Sequence, residues 1–256
     1  MLTIVPAEKS SEIAVFLDLP FQLHKNDKNW IGELKNDTKK LLSPAHPFWR
    51  HARRKLFVAY RYGKPCGRIA AVANFVHNSF YDDTVGFFGF FECENDTETA
   101  NALLDAARDW LLENSMTTMR GPLNPSTNYS CGLLVSGFEF PPRLMMPYNP
   151  PYYATLLEGY GLAKVKDLNA YLRQSRDEMS PRLEKIIARV ERNNAVRLRT
   201  IKLACFEEEL RLARDIYNDA WNENWGFVPM SKEEMDATAA ALKPIIKPEY
   251  VWFVEV

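Results

Sequence analysis

The chain has 256 residues, 46% hydrophobic and 25% charged, the balance of an ordinary globular protein with room for one or two domains. Its 32 basic and 33 acidic side chains leave a net charge of −1, so no global field draws it to nucleic acid or to an anionic membrane, and neither partner is expected. Four cysteines, Cys66, Cys93, Cys131 and Cys205, stand far apart, with no CxxC pair and no histidine at ligand spacing. That pattern predicts no metal and no disulfide framework, and points to a reducing cytoplasm. The opening residues MLTIVP carry no basic segment ahead of an apolar run, and no stretch reaches transmembrane length.

Residues 2–5 read as a short strand, followed by a helix with Ser10 or Ser11 at its N-cap and Ile13, Phe16 and Leu17 on its apolar face. Residues 37–47 are polar and punctuated by proline, hence loop or a short helix. The β-rich runs 56–60 and 66–75 meet at Tyr62-Gly63-Lys64-Pro65, which is hairpin chemistry. Residues 85–92, phenylalanine-rich with Gly86 and Gly89, read as a third, long strand. Asn95 with Glu98 three positions on forms a capping-box pattern ahead of Ala100, Leu103, Leu104, Ala107 and Leu111, which predicts an amphipathic helix over 96–114.

A strand follows over 116–123. Residues 124–151 then form a long segment dense in proline, glycine and asparagine, whose apolar content, Leu133 to Val135 and Leu144 to Met146, favours order. A helix over 151–160 ends at Gly161, and 163–172 alternates as a last strand. Ser180-Pro181 starts another helix, with Leu183, Ile186, Ile187 and Val190 as its buried stripe and Arg182, Lys185, Arg189 and Arg192 as a solvated basic one. A strand over 196–201, helices over 206–220 and 232–242, and a run that starts at Tyr250 and ends at Val256 complete the order.

The second half echoes the first at a fixed offset. Asn29-Trp30 recurs as Asn224-Trp225, and Leu56-Phe57-Val58-Ala59 as Val251-Trp252-Phe253-Val254, both 195 positions on. The same offset pairs Leu17 with Leu212 and Phe21 with Ile216. Self-similarity at one period is the signature of duplicated units. A duplicated chain would divide into a first domain over 1–173, a linker helix over 174–195 and an incomplete second copy over 196–256. The last run would then expose large apolar side chains worth about 1.5 to 3 kcal/mol each. It would have to pair with downstream residues, dock on the first domain or self-associate through the same strand of a second molecule.

Candidate site residues concentrate in and beside the long segment. Asn124, Ser126, Thr127, Asn128, Tyr148 and Asn149 combine amide, hydroxyl and aromatic groups, as small-molecule pockets do. Asn and Ser beside proline are equally turn formers that bond their own backbone. Cys93 between Glu92 and Glu94 is a poor nucleophile, because like charge raises a thiol pKa. His77 after a strand is a candidate base or a surface histidine, and Arg50, Arg53, Arg54 and Lys55 read as a solvated loop.

Tyr62-Gly63-Lys64-Pro65-Cys66-Gly67-Arg68-Ile69 resembles the hairpin of the GNAT acyltransferase superfamily, where a glycine turn leads into a strand. Leu156-Leu157-Glu158-Gly159-Tyr160-Gly161-Leu162 resembles the end of the fourth helix of those proteins, and the order of elements is theirs. With Gly86-Phe87-Phe88-Gly89-Phe90-Phe91-Glu92-Cys93 and Asn124-Pro125-Ser126-Thr127-Asn128, the chain resembles a bacterial group of that superfamily whose members carry two such domains. The resemblance implies an α+β fold, a mixed and mostly antiparallel sheet flanked by helices. It also implies acyl transfer from acetyl-CoA or another acyl-CoA to the amine of a small-molecule substrate.

Two features depart from the pattern. The superfamily holds the coenzyme pyrophosphate on a Q/R-x-x-G-x-G/A loop at a helix N-terminus, where backbone N–H groups bind phosphate. This chain has Phe91-Glu92-Cys93-Glu94-Asn95-Asp96-Thr97-Glu98 there, so acyl-CoA is not expected on the first domain. The tyrosine that protonates the leaving thiolate would fall near Leu157, with Tyr152 and Tyr153 a turn earlier as the substitutes. Two classes stay open: an N-acyltransferase whose working site belongs to the second unit, and a non-catalytic module that binds a small ligand or a protein.

Overall fold

The computed structural model describes residues 1–174, 178–192 and 195–256. Contacts divide the chain into two units, Met1–Val165 with Asn222–Pro229, and Lys166–Trp221 with Met230–Val256. The first boundary thus lies a few residues ahead of position 173, and residues 222–229 belong with the first unit.

The first unit opens with β1 (Leu2–Pro6) and α1 (Ser10–Leu23). The cap of α1 is Lys9 rather than Ser10 or Ser11, because the Glu12 carboxylate accepts the backbone N–H of Glu8 at 2.9 Å and of Lys9 at 2.8 Å. After the short helix α2 (Lys35–Leu41), β2 (Ala52–Arg61) turns back into β3 (Lys64–Asn74) through Tyr62 and Gly63, both at positive φ. Arg53, Arg54 and Lys55 therefore lie in a strand rather than a loop, with Arg54 stacked on Trp49.

His77 sits in α3 (Phe75–Tyr81), 1% exposed, and burial pulls its imidazole pKa down. It is neither a loop nor a surface residue. Strand β4 (Val85–Cys93) leads into α4 (Thr97–Glu113), capped by Asp96 rather than Asn95. The Asp96 carboxylate accepts the Thr99 N–H at 2.8 Å, a favourable place for negative charge.

The predicted strand over 116–123 is two pieces, β5 (Thr118–Arg120) and β6 (Leu123–Asn124), because Pro122 between them has no N–H to give a ladder. β6 pairs with β7 (Ser130–Cys131), so the long segment is ordered around a small hairpin, and α5 (Tyr152–Gly159) follows. Strands β1 to β5 form one sheet in sequence order, antiparallel except for the parallel pair β4 and β5.

Each face of that sheet carries a core. On one, Leu103, Leu104, Ala107 and Leu111 of α4 and Leu156 and Leu157 of α5 cover Ile69, Ala71, Phe88 and Phe91. On the other, Phe16 and Leu17 of α1 cover Leu56, Val58, Ala70 and Phe90. Between Arg68 and Ala70, β3 spends one residue where β4 spends two, Phe90 and Phe91, and Phe90 adopts φ 50°. Such a bulge re-aims side chains at a functional edge. Gly89 beside it has no alternative, since a Cβ there would stand 1.7 Å from the Leu123 carbonyl oxygen.

The second unit holds α6 (Pro181–Glu191), β8 (Arg197–Thr200), α7 (Phe206–Trp221), α8 (Lys232–Leu242) and β9 (Trp252–Glu255). Ser180 caps α6 as predicted, but no α6 residue is buried, because a stripe sets a helix period while burial needs a partner. The predicted strand over 163–172 is irregular and its Tyr171 is 90% exposed, because extended backbone without a paired neighbour forms no ladder.

β8 and β9 pair antiparallel, Arg197 opposite Glu255 and Thr200 opposite Trp252. The closing run therefore finds its partner within its own unit, an arrangement the sequence left out of the options, and buries Phe253. The pairing repeats β1 against β2: a shift of 195 carries Leu2 opposite Arg61 to within one residue of the observed register.

Candidate functional site

The bulge in β4 delivers Glu92 to a meeting of three elements. From the C-terminal end of α1, His24 places Nε2 2.7 Å from Glu92 Oε2; from α5, the Tyr153 hydroxyl donates to the same oxygen at 2.7 Å. An ionised carboxylate only accepts, so His24 carries its proton on Nε2. Arg68, opposite Glu92 in the ladder, brings Nη2 to 3.7 Å from Oε1, gives Nη1 to the Phe16 carbonyl at 2.6 Å and stacks on the Phe16 ring. His24, Arg68 and Tyr153 are each buried, so the cluster is held in one geometry.

Glu92, Arg68 and Tyr153 line a cleft of about 110 Å³. Large apolar side chains, Phe21, Trp30, Phe90, Phe91, Leu133 and Met146 among them, share its lining with Glu33, Lys35, Thr38 and Ser130. Trp30 packs edge-on against Phe21 at 5.1 Å and lies 5.2 Å from the His24 ring. Burial drives the Tyr153 hydroxyl well above 10 and the adjacent Glu92 charge adds to it, so this tyrosine is a proton donor held neutral. Burial pulls the Arg68 guanidinium down while Glu92 opposes it.

Of the residues selected from sequence, Asn124, Tyr148, Asn149 and Tyr153 reach the cleft. Asn124 Oδ1 accepts the bulge N–H of Phe90 at 2.6 Å. Tyr148 donates to Asp27 at 2.8 Å; burial and that bond push its hydroxyl to about 12. Burial works against the Asp27 carboxylate, but the Asn29 N–H and the Tyr148 hydroxyl outweigh it and keep its pKa below the usual range. Asn149 clasps Leu134 through both N–H and C=O, at 2.7 and 3.2 Å.

The others lie elsewhere. Tyr152 donates to the Cys93 carbonyl at 2.8 Å, and burial raises it to about 12. Ser126 and Thr127 line a separate, smaller cavity with His77, Arg120 and Trp225. Asn128 gives Nδ2 to the Val228 carbonyl at 3.0 Å, and Thr127 its hydroxyl to the Gly226 carbonyl at 2.5 Å, fastening residues 222–229. Burial also raises the Cys93 thiol, which removes it as a nucleophile.

His24, Arg68 and Glu92 were missed as a set. One signal was available, a lone carboxylate closing a run of phenylalanines, but its partners lie 68 and 24 positions away.

The turn from β4 to α4 is occupied by its own side chains. The Glu94 N–H bonds the Cys66 carbonyl at 3.0 Å, Asp96 caps the helix, and Arg61 reaches Asp96 at 2.6 Å and Glu98 at 2.8 Å. Among the described residues no three His, Cys, Asp or Glu side chains converge on a metal position, and no helix is long and apolar enough to cross a membrane.

No family model matches the chain. It is 36% identical over 259 positions to the bacterial ceramide synthase of Caulobacter vibrioides, an alignment that covers all of this chain and 67% of that protein. The chain belongs to the bacterial ceramide synthase family. A second member, Protein YghO of Escherichia coli, is 32% identical over 96% of the chain and 63% of its own length. Among solved structures, a tandem GNAT protein from the clavulanic acid biosynthesis pathway superposes with a TM-score of 0.52 at 13% identity, over 95% of this chain and 66% of that one. That likeness establishes a GNAT-like fold for this family member, α+β with a mostly antiparallel sheet flanked by helices. The chain spans about two thirds of the relatives it matches.

Proposed function

We propose that this chain serves an acyl-CoA-dependent N-acyltransferase, and that the Glu92 cleft holds the acceptor, a primary amine with a long hydrocarbon chain. The observation that carries this is a carboxylate, Glu92, lining a cleft that several large apolar side chains also line. A protonated amine seeks the charge of Glu92, and its tail seeks Phe21, Trp30, Phe90 and Leu133. The relative's name fits the same chemistry, since a ceramide is an N-acylated long-chain amino alcohol.

The ammonium must lose one proton to become a nucleophile; as its nitrogen bonds to the acyl carbon the C–S bond of the thioester would break, and the second proton would go to the departing thiolate. The Glu92 carboxylate stands where it can take a proton, and the His24 Nε2–H and Tyr153 hydroxyl orient it. Tyr153, suggested from sequence as the acid, acts here as an orienting donor.

The acyl-CoA that the fold implies does not fit the β4–α4 turn. The Thr99 N–H is already taken by Asp96, and each carboxylate of Glu94, Asp96 and Glu98 would cost a bound phosphate on the order of 1 to 4 kcal/mol per close pair. The second unit, which repeats the opening elements of the first, is the candidate for a second GNAT-like copy.

That occupied turn also favours a second reading, a non-catalytic module that binds the amine. Calorimetry with a long-chain amino alcohol should show binding that Glu92→Gln weakens about tenfold or more, and acetyl-CoA should show no micromolar binding. Equal affinity in Glu92→Gln, or tight acetyl-CoA binding, overturns the assignment of the cleft. Amide product detected by mass spectrometry when amine and acyl-CoA are supplied together selects the enzyme; amine binding without product selects the module.

A further inference from the structure

His77 lies in the wall of a covered cavity. The space, about 10 Å³ and room for about one water, is lined by His77, Asn74, Arg120 and Ser126 from the body of the first unit and by Trp225 and Val228 from residues 222–229. Phe227 and Val228 of that segment are buried, so its seat is packed.

The anchors of the segment gather around this histidine. The imidazole packs against the Tyr81 ring at 4.6 Å, and the Tyr81 hydroxyl receives the Gly226 N–H. Arg120, which shares the cavity, stacks on Trp225 at 5.2 Å. Thr127, in the same lining, donates to the Gly226 carbonyl. A change of charge at His77 therefore meets Tyr81 and Arg120 together.

The ring is held in surroundings suited to its neutral form. Neither of its nitrogens has a hydrogen-bond partner among the described residues. Asn74 Oδ1 is committed to the N–H groups of Val76 at 3.2 Å and His77 at 3.3 Å, where it caps α3. The charges that face the imidazole are Asp83, with Oδ2 3.4 Å from Nε2, and Arg120. Tyr81, the titratable neighbour on its own helix, is pushed up by burial and stays protonated. An imidazolium has two donors to place. Asp83 answers one, and the other meets a small cavity that already holds a guanidinium. Burial opposes the charged ring, Asp83 favours it and Arg120 opposes it again, and the balance lies with the neutral form.

We infer that His77 is an acid-operated latch: while its ring is neutral residues 222–229 stay seated, and a proton on the ring opens the cavity to water and releases the segment. The proton comes from solvent, and hydrogen bonds and packing are all that give way. A group whose folded pKa is depressed contributes stability that is present above its unfolded value, 6.5 for histidine, and is lost as pH falls through the folded one. The segment responds ahead of the sheet because local opening costs less than global unfolding. The latch is independent of the Glu92 cleft and of what that cleft binds.

The test is hydrogen exchange of residues 224–229, read by mass spectrometry from about pH 7.5 to about pH 5 and divided by the rate of a synthetic peptide of that sequence. Below pH 6.5 the protection of the segment should fall about tenfold per pH unit at its steepest, the slope of one linked proton, while α4 stays protected. His77→Phe and His77→Gln cannot take the proton, and either one, once shown to be folded by circular dichroism, should flatten that slope. Asp83→Asn keeps an Oδ1 acceptor for Asn78 and Val85, removes the charge, and should move the onset to lower pH. Imidazole proton shifts of the wild type give the His77 titration with no substitution at all. Protection that is constant with pH, an equal slope in a folded His77 variant, loss of α4 protection in step with the segment, or a His77 midpoint at or above 6.5 each overturns the latch.

Discussion

His24 and Glu92, 68 positions apart, meet at 2.7 Å on the oxygen that also accepts the Tyr153 hydroxyl. The carboxylate stands 3.7 Å from the buried Arg68 guanidinium, so it is structural as well as chemical. Glu92→Gln should lower the unfolding free energy by about 3 to 5 kcal/mol, the usual cost of stranding one partner of a buried ion pair. Urea denaturation measures it. The double variant Glu92→Gln with Arg68→Met should lose less than the sum of the two singles; strict additivity would show that the pair is not coupled.

The tyrosines predict the alkaline limit. Burial, with carboxylate neighbours, raises Tyr148, Tyr152 and Tyr160 from 10 to about 12, and Tyr153 well above 10. A group whose folded pKa is raised contributes stability that is complete below its unfolded pKa and is lost as pH rises through the folded one. Stability should therefore decline between pH 10 and 12, and tyrosinate absorbance should rise late in the folded protein. Titration of all the tyrosines together near pH 10 while the fold persists would contradict this.

Asn128 and Thr127 bond residues 222–229 to the rest of the first unit. Asn128→Ala removes the donor to the Val228 carbonyl and should cost about 1 to 3 kcal/mol, since the oxygen is left without its partner. Thr127→Val acts on the Gly226 carbonyl in the same way. Limited proteolysis should cut within 222–229 faster in either variant than in wild type, and unchanged cleavage would show that Trp225 on Arg120 and Phe227 on Phe80 suffice.

Strand β9 predicts association. Phe253 is buried, but Trp252 and Val254 are 58% and 62% exposed, on the opposite side of the strand, and Val256 is 97% exposed. Apolar edges of this kind recruit another chain. Light scattering should show concentration-dependent association that Trp252→Lys with Val254→Lys reduces; a monomer at all concentrations would exclude this run as a self-association surface.

Residues close in sequence declared themselves through period and turn chemistry. The Tyr62-Gly63 hairpin, the glycine-bearing phenylalanine strand, the stripe of α4 and the Ser180-Pro181 start all express backbone preferences local to a few positions, and the 195-residue repeat is visible to a comparison of the chain with itself. Those signals were sufficient for the GNAT-like fold. What they lack is any record of distance in space. Whether the stripe on α6 is covered, where β9 finds a partner, and that His24, Arg68 and Tyr153 converge on Glu92 depend on strand register and on one bulge at Phe90. A bulge shifts the facing of every side chain beyond it, so the site exists only once β3 and β4 have paired, and only tertiary structure decides it.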